Sequence, residues 1–65
     1  MVDYTADIHK LLRIDIAAEE AAYITYTRQS QCVKDAKVAA NLARIALDEK
    51  LHKAVLNKFL QDLSS

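Results

Sequence analysis

The sequence predicts an all-α protein: an antiparallel two-helix hairpin that dimerises into a four-helix bundle. Three observations carry this. The 65 residues contain no Gly and no Pro, so nothing supplies the tight turns of a β-hairpin or interrupts a long helix. In the second half, positions spaced alternately four and three apart read Val38, Leu42, Ile45, Glu49, His52, Leu56, Phe59 and Leu63, a coiled-coil-like seam. And 52% of the residues are hydrophobic, more than one short hairpin can bury by itself, so a neighbouring subunit is expected to cover the excess.

The chain reads as a single helical-hairpin domain spanning 1–65. The first helix is expected over about residues 5–29, with Thr5 or Asp7 as its cap. The stretch 30–34 fits neither periodicity and is read as the turn. Asp35 is the expected N-cap of the second helix, over about residues 35–63. At about 1.5 Å per residue each helix is roughly 40 Å long, and so short a connection makes the two antiparallel neighbours.

At about 100° per residue, a face of the first helix centred on Glu19 also holds Ile8, Leu12, Asp15, Ile16, Ala22, Tyr23 and Tyr26. Glu20 falls on the flank with His9, Arg13 and Thr27, and both Glu20 and His9 read as solvent-facing. Each helix has a weaker apolar strip on its far side. In the first it is Ile14, Ala17, Ala21 and Ile24; in the second it is Ala40, Ala43, Leu47, Leu51 and Ala54. These strips point to assembly beyond a dimer. Lys34, Lys37, Lys50, Lys53 and Lys58 read as a solvated face.

Nine acidic and nine basic residues are interspersed, leaving zero formal charge and no footprint for nucleic acid or an anionic membrane. No apolar run is long enough to span a bilayer. The start, Met1-Val2-Asp3-Tyr4, lacks the basic and apolar regions of a signal peptide. One cysteine, Cys32, cannot form an intrachain disulfide, which fits a reducing, cytoplasmic setting.

The chemistry is carried by the two polar residues in the apolar seam. Glu49 and His52 are three apart and project from one helix face, where a carboxylate and an imidazole are costly unless compensated. A metal ion suits both. Glu19 lies fifteen residues before position 34 and Glu49 fifteen after it, so a hairpin turning there sets them at one height. Two carboxylates and one imidazole make half of a known kind of site. Di-iron and di-manganese bundles take one Glu from each of two helices and Glu-x-x-His from each of the other two. A two-fold dimer would supply all four Glu and both His. Such mixed ligands suit iron or manganese, with zinc a substitute. The competing reading makes the Glu and His a buried pair that fixes helix register, in a non-catalytic assembly module.

With Tyr26 seven residues after Glu19, and Glu49-Lys50-Leu51-His52 following, the chain resembles the ferritin-like di-iron carboxylate family, which includes rubrerythrins, bacterioferritins and ferritins. It looks most like the half-length, encapsulated-ferritin type, whose two-helix subunits pair into a four-helix bundle. The resemblance implies Glu19, Glu49 and His52 as iron ligands and as catalytic residues together with Tyr26, which would hydrogen-bond a ligand carboxylate. Asp15, one turn before Glu19, would help admit iron. The implied cofactor is a di-iron pair, the implied activity ferroxidase chemistry in support of iron storage, with peroxide reduction on the same ligands as an alternative. The implied partners are further copies of the chain, a homodimer at minimum, and an encapsulin shell in whose compartment it would reside.

Overall fold

A computed structural model describes residues 3–64. Two helices, α1 (Thr5–Cys32) and α2 (Ala36–Ser64), pack antiparallel along their whole length, and no strand occurs among the described residues. Met1 and Val2, where the test for a targeting signal begins, lie outside them, as does Ser65. The hairpin is a rod of 54 × 15 × 14 Å.

The start of α1 is fixed from outside the helix. Tyr4 stands at the capping position without a side-chain cap, and the Asp3 carboxylate instead accepts from both the backbone N–H and the hydroxyl of Thr5. Those two bonds hold the Asp3 pKa below its ordinary value. The expected caps, Thr5 and Asp7, are therefore replaced by Asp3.

The connection is shorter and later than the expected 30–34. Helix α1 continues to Cys32, and only Val33, Lys34 and Asp35 link it to α2. Ser30 does not break the helix, because its hydroxyl turns back to donate to the Thr27 carbonyl. What ends α1 is the start of the next helix. Asp35 Oδ1 accepts from the backbone N–H groups of Lys37 and Val38 at 2.9 and 3.0 Å, the N-cap that its position predicts. Val33 is extended, and its N–H closes the last turn on the Gln29 carbonyl.

The inner seam of α2 is rotated from the expected one. Facing α1 are Ala39, Leu42, Ala46, Glu49, Lys53, Leu56 and Leu60. Val38, Ile45, His52, Phe59 and Leu63, expected inside, lie exposed along one edge. Both sets obey the four-three spacing. Packing selects the alanine-bearing one, because Ala46, 3% exposed, lets the helix axes approach closely. In α1 the inward positions are Thr5, His9, Leu12, Ile16, Glu19, Tyr23, Tyr26 and Ser30. His9, expected at the surface, is thus part of the seam. Its Nε2 is buried and finds no partner among the described residues. Ile8 and Asp15, placed on the inner face by angle, are exposed.

Ala46 is the one buried apolar residue among those described. The weaker strips are open to solvent as expected, including Ile14, Ile24, Leu47 and Leu51. No described helix is long and apolar enough to cross a membrane.

Candidate metal centre

Glu19, Glu49 and His52 converge. One donor atom from each lies within 4.8 Å of the other two. Their height follows from the hairpin: α1 brings Glu19 up from the open end while α2 carries Glu49 down from the connection by a similar number of residues. The i, i+3 spacing of Glu49 and His52 then puts both on one side of α2. His52 sits at the edge of the seam with its side chain 62% exposed, whereas that of Glu19 is 24% exposed. The imidazole Nδ1 is 3.7 Å from Glu19 Oε2, too long for a hydrogen bond.

The trio is electrostatically unfinished. Glu19 Oε2 is buried and has no hydrogen-bond partner among the described residues. The Glu49 carboxyl is held above its ordinary pKa, first because it shares a hydrogen bond with the Glu19 carboxyl, then through desolvation and the Glu19 charge, with His52 opposing. Two carboxylates pressed together in this way would both ionise on meeting a cation. An oxygen without a partner, a second carboxylate at contact and an imidazole at the rim form a donor set that fits iron. Zinc would accept the same ligands, but carboxylate-rich sets favour the harder ion.

The cation on the seam is drawn elsewhere. Lys53 lies one turn beyond Glu49 on the same seam, where it could neutralise the trio. Its ammonium is instead paired with Glu20 at 2.5 Å. Glu20 and Lys53, both expected on solvated faces, thus form a half-buried bridge across the hairpin, on the side away from His52. The sequence signal for it is weak: Glu20 lies fourteen residues before position 34 and Lys53 nineteen after it, an offset that the long lysine side chain spans. Lys50 extends over the Tyr23 ring at 6.0 Å from its centroid, and Lys58 pairs with Asp62 one turn on.

Tyr26 is half-buried two turns from Glu19 toward the connection, about 10 Å along the helix. Asp15 is exposed one turn the other way. The hairpin brings neither into the cluster of three. Cys32 is an exposed free thiol at the end of α1, remote from it.

Comparison with known families gives a match to the model of ubiquinone biosynthesis protein COQ7, over residues 6–65. Curated proteins and solved structures give no match. The chain belongs to the COQ7 family, whose members are di-iron carboxylate enzymes of the ferritin-like superfamily. Iron as the cofactor and oxidoreduction as the reaction class therefore stand. One expectation is overturned, and another is supported only in its coarser part, the ferritin-like superfamily. The family's activity is hydroxylation in ubiquinone biosynthesis, so neither ferroxidase chemistry for iron storage nor peroxide reduction is its function. The likeness to encapsulated ferritins, with the encapsulin shell and compartment it implied, gives way to this membership. The likeness has a plain cause. A Glu, a Tyr two turns later and a distant Glu-x-x-His specify a di-iron scaffold, and that scaffold is common to enzymes of different reactions.

Proposed function

We propose that this chain supplies iron-binding ligands for hydroxylation of a ring-bearing precursor of ubiquinone, with Glu19, Glu49 and His52 as the ligands. The observation that supports it best is the convergence of those three donors in a chain of this family. Bound iron would supply the redox chemistry by which dioxygen and a two-electron donor convert a ring C–H to C–OH, the second oxygen atom leaving as water.

The chain's own residues set the conditions. Glu19 offers a carboxylate oxygen already stripped of water and protein partners, so coordination costs it little further desolvation. Glu49, whose carboxyl lies against that of Glu19, would be the second carboxylate ligand, and a cation there would favour its ionised form. His52, at the rim, would offer an imidazole nitrogen as the third ligand. The Glu20–Lys53 bridge keeps an ammonium off the carboxylates.

Anaerobic Fe(II) titration tests the ligands. The intact chain is expected to bind about one iron per chain and to gain thermal stability, and Glu49→Ala should lose more than about tenfold in affinity. Iron-loaded protein, given a ubiquinone precursor, dioxygen and a two-electron reductant, should then yield a hydroxylated ring. Product no greater than that from Glu49→Ala would sink the assignment.

A further inference from the structure

We infer that the polar cleft on the side of the hairpin away from His52 binds a phosphate group, held between the ammonium groups of Lys50 and Lys53.

Regular helical spacing builds the cleft. On α2, Lys50, Lys53, Ala54 and Asn57 share a face, each three or four residues from another; on α1, Glu20 and Tyr23 stand three apart opposite them. Ala54 carries only a methyl group, and the longer side chains around it leave a hollow of about 390 Å³. A phosphate group fits such a space with room for the group it esterifies.

The lining carries two positive charges and one negative. Lys53 is paired with Glu20 at 2.5 Å. Lys50 forms no ion pair with the described residues, and its ammonium stands 6.0 Å from the centroid of the Tyr23 ring. Two like charges at i, i+3 on one helix face oppose each other, and the single carboxylate of Glu20 answers only one of them. The cleft therefore lacks an anion with charge enough for both.

A phosphate monoester meets that need. It carries roughly two negative charges at neutral pH and three acceptor oxygens. Lysine ammoniums bind such a group through charge-assisted hydrogen bonds. Asn57, one turn beyond Lys53 on the same face, adds an amide donor at the wall of the cleft. A carboxylate ligand matches less well, because it brings one charge, which Glu20 already supplies. An apolar ligand would cover the two ammoniums without pairing Lys50.

Glu20 limits the affinity, since its carboxylate holds Lys53 and repels an incoming anion. Both cations are also partly open to water, so binding falls in the millimolar range.

Calorimetric titration and phosphorus NMR of the metal-free chain test the site, with methyl phosphate and inorganic phosphate as separate probes. A single saturable site per chain is expected. Lys50→Gln should weaken binding by about fivefold. Lys37→Gln, which removes the same charge at the connection, should leave it unchanged. Glu20→Gln should tighten binding by a similar factor, because the competitor for Lys53 is gone. Ala54→Leu alters no charge and should weaken binding by filling the hollow. Circular dichroism shows that each variant stays helical; should Ala54→Leu unfold, the charge variants decide. Methyl phosphate bound more tightly than inorganic phosphate makes an ester the ligand, and the reverse order makes it the free ion; either supports the site. The absence of saturable binding for both probes overturns it. Equal losses in Lys50→Gln and Lys37→Gln overturn its location and leave only a general attraction of charge. Weaker binding in Glu20→Gln overturns the role of Lys53, and acetate bound as tightly as the phosphates overturns the choice of ligand.

Discussion

Lys53 shows how a single residue decides whether three donors remain available. It shares the inner seam with Glu49, one turn away, so without Glu20 its ammonium would be free to turn to that carboxylate. Glu20→Gln is therefore expected to lower iron affinity, although it removes no ligand. With the two partners 35% and 45% exposed, solvent screening limits the effect to a few-fold, on the order of 1 kcal/mol. Competition titration against a chelator measures it, and Glu20→Gln combined with Lys53→Gln should recover the loss. Unchanged affinity in the single variant would show that Lys53 does not compete. Glu49 gives a second expectation at this scale. Its pKa is raised in the folded chain, so the fold binds its proton more tightly than the unfolded chain does. The contribution to stability is fully present below the ordinary glutamate value and is lost as pH rises through the folded one. Metal-free protein should thus become less stable with rising pH across that window, while iron binds more tightly because a proton no longer has to leave. Thermal melts against pH check this, and Glu49→Gln should remove the slope. A slope unchanged in that variant would assign it to another group.

Among the elements, the connection is the most economical part of the fold. Three residues join two helices of 28 and 29 residues, with no Gly at the turn. Asp35 supplies what the turn itself lacks by satisfying two N–H groups at the start of α2. Asp35→Ala should destabilise the hairpin by about 1 kcal/mol. Denaturant titration followed by circular dichroism reads the loss, and an unaltered midpoint would mean that water replaces the cap. This cap was legible in the sequence because its chemistry is local: an acid followed by a long helical stretch. The end of α1 was not, since no residue there forbids helix and the stop comes from a helix beginning elsewhere. The seam of α2 was half legible for a similar reason. Two apolar registers fit the same four-three spacing, and only contact with α1 favours the one with Ala46 at its centre. Glu49 belongs to both registers, so the three donors still meet after the rotation. His52 belongs to one alone, so it moved from the expected interior to the rim.

For the molecule as a whole, the 54 Å length and the many exposed apolar side chains describe a part shaped for company. Composition foretold this, because 52% hydrophobic residues cannot hide within one hairpin. The convergence of Glu19, Glu49 and His52 was equally legible, since their spacing brings them together in any helical hairpin that turns between the two Glu. The reaction was not. Spacing says which donors meet, whereas choosing hydroxylation over iron oxidation depends on what surrounds them, and those surfaces are not written in the motif. Membership in the COQ7 family resolved the choice.

The donors stand near the middle of both helices. Helices fray from their ends, and local opening grows rarer toward the middle. The described chain holds Glu19, Glu49 and His52 where each helix has about three turns or more on either side. The terminal turns can open and close on their own timescale while the three donors keep their spacing. A metal held there is clasped by the most persistent stretch of the backbone, and amide hydrogens around the clasp would be the last to exchange with the solvent.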